Sequence, residues 1–286
     1  MAQQHTKPTS GSVGSLALIF SALFVFSAAS TAAERLETPV GFNVNETGAA
    51  TFRIPLEIPP GSAGMAPSLS LNYSSQSGDG MLGMGWSLGG LPAIYRCGRT
   101  KIQDDAKDTV NYNSNDRYCL DGQRLVAVTG VYGINGTEYR TERESFTKVI
   151  SYSSAGSGPK YFKAWTKAGQ IIEFGNSVDS AVEAQGKTDI RVWAANNISD
   201  AAGNYMTISY TEDGVTSRIA NANGGYAPLR IDFTGNPNAS PAASPYNSVR
   251  FVYQTRPYIT PLYQAGSIIK STQRLTNVQT YARMNE

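Results

Sequence analysis

Tyr118-Cys119-Leu120-Asp121-Gly122-Gln123-Arg124-Leu125-Val126-Ala127-Val128 reads as a β-hairpin. Cys119-Leu120 and Leu125-Val126 are its apolar arms, and Asp121-Gly122 is the kind of pair that a two-residue hairpin turn requires. The same pattern extends outward. Upstream, residues 68–73 alternate strictly: Leu69, Leu71 and Tyr73 face one way, and Ser68, Ser70 and Asn72 the other, as in a half-buried strand. Residues 51–57 also alternate, with Phe52 and Ile54 on one side, before a turn at Pro59-Pro60-Gly61. Downstream, Asn135-Gly136 offers a second hairpin turn. Lys167-Ala168-Gly169 offers a third, between arms at 161–165 and 170–174. Further strands are expected at 189–194, 205–210, 229–233 and 249–253, with a loop at 235–245, which is rich in Asn, Pro, Ala and Ser. Turn signals recur about every 8–12 residues and no long segment has a helical period, so the expected fold is all-β, an irregular multi-hairpin β-sheet module.

Composition agrees. Of 286 residues, 41% are hydrophobic and only 16% charged, so the polar surface must come from Ser, Thr, Asn, Gln and Gly. The 28 glycines and 16 tyrosines suit strands joined by tight turns. Net charge is +2. Residues 1–33 carry Lys7 and no acid, so their removal leaves +1, which gives no electrostatic basis for binding nucleic acid or an anionic membrane.

Residues 1–33 read as a signal peptide: a polar start with Lys7, an apolar run from Leu16 to Phe26, then small residues through Ala33. Ser30-Thr31-Ala32 and Thr31-Ala32-Ala33 both suit signal peptidase, which puts the cleavage region at Ala32 and Ala33. The run is shorter than the about 20 residues that a spanning helix needs. No stable membrane span is expected once it is removed, and secretion follows, with the periplasm as an alternative destination. Export leaves the two cysteines, Cys97 and Cys119, free to pair; two separately buried thiols are the other possibility. Pairing would close a loop of about 23 residues and contribute roughly 3 kcal/mol.

The only histidine, His5, lies in the segment to be removed. The mature chain therefore lacks Ser-His-Asp and Cys-His catalysis and every His-ligated metal site. Gly78-Asp79-Gly80-Met81-Leu82-Gly83 is a literal GxGxxG, but Gly85, Gly89, Gly90 and Pro92 argue against the helix a dinucleotide needs, so it is read as a glycine-rich turn. Gly186-Lys187-Thr188 lacks the first P-loop glycine, because Ala181 stands there, and a strand follows it. Glu142-Arg143-Glu144 resembles the E-x-E of ADP-ribosyltransferases but lacks their Ser-Thr-Ser strand. Two solvated carboxylates on one strand face are the plainer reading. Asn111, Asn113, Asn115 and Asp116 supply hard oxygens, mostly neutral, without a correctly placed EF-hand glycine and terminal glutamate, so a polar turn is the plainer reading. Trp86, Trp165 and Trp193 could form a sugar platform, although aromatic residues in a β-protein more often pack in the core. No cofactor and no metal are expected.

Asp200-Ala201-Ala202-Gly203-Asn204, followed by Tyr210, Gly214 and Ile219, resembles one YD (RHS) repeat, in which Gly-Asn turns a hairpin. Longer blocks carry a wider resemblance. Ile54-Pro55-Leu56-Glu57-Ile58-Pro59-Pro60-Gly61-Ser62-Ala63-Gly64-Met65-Ala66-Pro67-Ser68-Leu69-Ser70-Leu71 is followed by Leu82-Gly83-Met84-Gly85-Trp86-Ser87-Leu88 and Arg96-Cys97. Asp116-Arg117-Tyr118-Cys119-Leu120-Asp121-Gly122-Gln123-Arg124-Leu125 comes next. Together they resemble the N-terminal domain of the Salmonella virulence plasmid B protein (SpvB) family, which also opens the B component of Tc toxin complexes and many secreted RHS/YD-repeat proteins.

The resemblance implies the first part of a hollow β-shell that encloses or presents a C-terminal toxin. It also implies that the chemistry lies in other domains, so this chain is expected to be no enzyme. Its implied partners are a downstream RHS/propeller portion of the same or a neighbouring polypeptide and a toxin-complex component. The expected organisation is a signal peptide at 1–33, a linker at 34–50, a β-rich domain at 51–281 with one YD-like unit at 200–219, and a truncated tail at 282–286. On this reading the domain is incomplete at its C-terminus. Two other functions compete: a secreted adhesin or carbohydrate-binding module, resting on the aromatic residues, and a fragment related to ADP-ribosylation, resting on E-x-E.

Overall fold

A computed structural model describes residues 41–212 and 223–283. The chain is all-β, as its alternation requires. It opens with β1 (Gly41–Val44), β2 (Ala50–Pro55) and β3 (Ser70–Ser74). A small hairpin follows, β4 (Asp79–Gly80) with β5 (Gly83–Met84), and then β6 (Trp86–Gly89). Strands β1, β2, β3 and β6 form one antiparallel sheet in that order. The stretch read as a linker therefore contains a strand, with Phe42 opposite Phe52. Phe52 in turn faces Tyr73, and Tyr73 faces Trp86. The four rings make a cross-strand ladder with centroids 5.0, 6.0 and 5.3 Å apart. A short linker-like sequence could be read as a strand only once its partner was known.

The next nine strands run β7 (Ala93–Cys97), β8 (Arg117–Leu120), β9 (Gln123–Thr129), β10 (Glu138–Thr141), β11 (Lys148–Tyr152), β12 (Tyr161–Trp165), β13 (Ile171–Phe174), β14 (Ala181–Glu183) and β15 (Ile190–Ser199). Each of β7 to β12 pairs antiparallel with the next. The ring closes through β15, whose first half pairs with β7 and whose second half pairs with β13. An eight-strand ring leaves room inside only for side chains. Tyr118, Tyr139, Phe162 and Trp193 fill it. Tyr118 meets Phe162 and Trp193 at 5.3 Å, although β8 lies beside neither β12 nor β15. Trp193 is fully buried and donates Nε1–H to the Pro159 carbonyl at 3.2 Å. Gly175, with φ +70°, lets the chain pass this ring: a Cβ there would stand 2.4 Å from Trp193 Cδ1.

Beyond β15 the sheet continues outside the ring. Strands β16 (Tyr205–Glu212), β17 (Tyr226–Gly235) and β18 (Asn247–Thr255) follow in order. A small hairpin, β19 (Leu262–Gln264) with β20 (Ser267–Ile269), leads to β21 (Gln273–Tyr281), which pairs with β18. Ile208, Ile231, Phe233, Val249, Phe251 and Leu275 carry the core across this extension. Pro228 sits in β17 where the register with β16 shifts at Tyr210, the position in a sheet that tolerates a missing N–H. The β15–β16 turn is the YD-like Asp200–Asn204 segment. Asp200 Oδ1 accepts the amides of Ala202 and Asn204 at 2.9 and 3.0 Å. Tyr210 is buried, and its hydroxyl donates to the Ala195 carbonyl at 2.7 Å. Gly214 and Ile219 of that unit lie outside the described residues. The only helical turn among the described residues is α1 (Lys101–Asp104), and no helix there is long and apolar enough to cross a membrane.

Candidate functional site

Arg96 stands among the apolar residues of β7, and alternation turns it to the same face as Ile94. Its side chain is 0% exposed. Nη1 donates to Asp116 Oδ2 at 2.9 Å, and Nε donates to the Ile190 carbonyl at 2.7 Å. The guanidinium also lies over the rings of Tyr112, Tyr118 and Trp193, at 5.8, 6.0 and 5.7 Å. Asp116 accepts the Asn111 amide with its other oxygen. The stretch weighed as a calcium loop and read as a polar turn thus serves an internal ion pair. Loss of either partner would leave a buried charge and cost about 3–5 kcal/mol.

Residues 98–116 leave β7 and return at β8. Asp104 ties them down. Its carboxylate accepts the Thr100 amide at 2.9 Å and Arg117 Nε at 2.6 Å, and it also pairs with Arg124 Nη2. Burial alone would raise its pKa. The Thr100 amide, the Arg117 hydrogen bond and the two arginine charges outweigh that and hold it below the usual range. At the base of this excursion, Cys97 and Cys119 are joined by a disulfide, with Cα atoms 6.0 Å apart. Asp116 was weighed from sequence only as a calcium-loop oxygen, and the buried ion pairs of Arg96 and Asp104 were not foreseen. An arginine inside an apolar strand run was the available signal for Arg96.

A second polar feature lies where the β19–β20 hairpin meets β15 and β17. A cavity of about 220 Å³ is lined by Met81, Arg191, Tyr226, Ile269, Lys270 and Gln273, among others. Arg191 Nη2 donates to the Gly224 carbonyl at 2.6 Å, whereas its buried Nε has no acceptor. Burial lowers the Arg191 pKa, partly offset by Tyr226, Tyr112 and Glu212.

The remaining sequence candidates separate. Trp193 is inside the ring, Trp165 carries Lys148 over its face, and Trp86 ends the aromatic ladder, so the three tryptophans form no common platform. Glu142 accepts from Gln103 Nε2 at 2.7 Å, and Glu144 accepts the Phe146 amide; both are exposed. The GxGxxG stretch spans the β4–β5 hairpin, with no helix. Arg256 pins it, gripping both oxygens of Asp79 at 2.5 Å and the Gly80 carbonyl at 3.0 Å. Lys187 of the GKT stretch closes a turn onto the Ala184 carbonyl. Among the described residues no three His, Cys, Asp or Glu side chains are grouped to hold a metal. Ala32 and Ala33 lie outside the described residues.

Sequence comparison with curated proteins gives no match. Solved structures give several. The TcdB2-TccC3 crystal structure matches with a TM-score of 0.67 at 18% identity, over 86% of this chain and 14% of that one. The Photorhabdus luminescens Tc holotoxin pore matches with a TM-score of 0.66 at 19% identity, over 85% of this chain and 13% of that one. The N-terminal domain of the effector protein SpvB from Salmonella typhimurium strain LT2 matches with a TM-score of 0.61 at 19% identity, over 81% of this chain and 88% of that one. The chain therefore has the fold of these proteins and spans about one seventh of the length of the Tc chains. A family model, Salmonella virulence plasmid 65kDa B protein, matches residues 44–224, and the chain belongs to that SpvB family.

Proposed function

We propose that this chain is a non-catalytic structural module of a secreted, toxin-like RHS protein, contributing strands to a β-shell that encloses or presents a toxin. The observation that carries this reading is β21. Among the described residues it pairs with β18 on one side only, through eight of its nine residues, and it carries no proline, glycine or lysine. Natural edge strands of this length are normally shortened, charged or covered. Val278 on its core side remains half-buried, so the apolar face reaches the edge without being closed. A further strand from the downstream RHS/propeller portion, in the same or a neighbouring polypeptide, would pair the open amides and cover that face. Residues 1–33 would act as the export signal, cleaved near Ala32 and Ala33.

The test is photo-crosslinking in the assembly purified from the producing cell. A crosslinking residue at Gln279, which is exposed on β21, should capture peptides of RHS or propeller sequence, whereas one at Lys167, in the β12–β13 turn, should not. In the isolated chain the outward amides of β21 should exchange with solvent much faster than those of β17. No crosslink at Gln279, together with β21 amides as protected as those of β17, would refute the reading.

A further inference from the structure

The cavity beside Arg191 has properties that the shell role does not use. It lies between the β4–β5 hairpin, β15, β17 and the stretch 269–273. Two cations line it, Arg191 and Lys270, and neither joins an ion pair among the described residues. Glu212 supplies a negative charge near Arg191. The guanidinium is half satisfied: one nitrogen meets the Gly224 carbonyl, while Nε is buried without an acceptor. A buried donor left unmet is uncommon and calls for an explanation such as a missing ligand. The rest of the lining has an apolar part, from Met81, Tyr226, Ala227 and Ile269, and a polar part that includes Ser271, Thr272 and Gln273.

We propose that this cavity binds a carboxylate carried on a small apolar body, with the carboxylate between Arg191 and Lys270 and the apolar part against Met81, Tyr226 and Ile269. The planar guanidinium fork matches a carboxylate, and with Glu212 near Arg191 the two cations are balanced by two carboxylates. The volume, about 220 Å³, equals the space of about seven waters, which suits a group of similar heavy-atom count. A phosphate dianion beside Glu212 would leave the cavity with an excess of negative charge over its two cations. The carboxylate could belong to a free short-chain acid or to the end of a polypeptide. The shared chemistry is the same.

The probe is isovalerate, titrated into the ¹⁵N-labelled full chain and followed by NMR, with isovaleramide as the neutral isostere. Isovalerate should shift the Arg191 Nε–H and the Tyr226 and Gln273 amides to saturation, and isovaleramide should not. Lys270→Gln, which changes a half-buried side chain, should weaken binding about tenfold. Arg191→Gln should abolish it. Because that second variant alters a packed residue, the Lys270 variant, which keeps the wild-type spectrum elsewhere, carries the test. Acetyl-Gly-Leu with a free terminus separates the sources: tighter binding than isovalerate points to a polypeptide end, and weaker binding to a free acid. Equal shifts from isovaleramide, equal binding by inorganic phosphate, or no shift at these residues would each overturn the assignment.

Discussion

Replacing Cys97 and Cys119 together by alanine should lower stability by about 3 kcal/mol. The bridge spans 22 residues, and the loop-entropy relation for a loop of that size gives about this value. The loss should fall on the unfolded state, because the native excursion has other anchors. Asp104 holds Arg117 and Arg124, and Asp116 holds Arg96, none of which the substitution touches. Alanine keeps each Cβ, so little native packing is lost. For a chain of this size, about 3 kcal/mol corresponds to a fall in Tm of roughly 6–12 °C. Urea unfolding of the oxidised protein and the double variant, with a shared native spectrum, measures the difference. An unchanged midpoint would refute the loop-entropy argument. Two thiols titrating in denaturant without reductant, on protein recovered from oxidising conditions, would refute the bond itself.

Asp104→Asn should cost about 3 kcal/mol at neutral pH, since it leaves the buried Arg124 without its carboxylate. Because the folded pKa of Asp104 is depressed, its contribution is complete above the unfolded value near 4 and disappears as pH falls through the folded one. The difference in urea midpoint should therefore stay constant from pH 8 to about 5 and shrink below about pH 4; a difference that persists undiminished at pH 2 would contradict this. Gly175→Ala should destabilise by at least about 2 kcal/mol, combining a left-handed backbone cost with a Cβ driven against Trp193. Near-UV circular dichroism and thermal melting report it, and a melt within 1 °C of wild type would count against the ring packing described here.

Much of the secondary structure could be read locally. The hairpin at β8–β9 turns at Asp121-Gly122, as its dipeptide demands, and both residues have positive φ, 47° and 84°. The β12–β13 turn follows from Gly169, and the alternation of β3 from Leu69, Leu71 and Tyr73. The failures were also physical. Residues 41–44 carry only two apolar side chains, Phe42 and Val44, too few for a periodicity argument, and they become a strand because Phe52 lies opposite. The tryptophans could be weighed only as types. Whether Trp193 met solvent or the inside of a ring depended on strands far away in the chain.

From its sequence alone, the chain determined its class and its family. Short-range alternation, turn dipeptides and long family blocks are all local quantities, and the single histidine, His5, is a matter of composition. Only the tertiary structure decided which strands meet. A period of two tells a residue which face it occupies, not which strand it will join. Closure of the ring brings β13 and β7 to one strand, β15, and sets Arg96 against the Ile190 carbonyl across 94 residues of sequence. The same closure buries Trp193 and leaves Arg191 at the cavity, and among the described residues β21 pairs with β18 alone. These are non-local pairings, whose energy is realised only after the chain has closed long loops, so no window of sequence contains them.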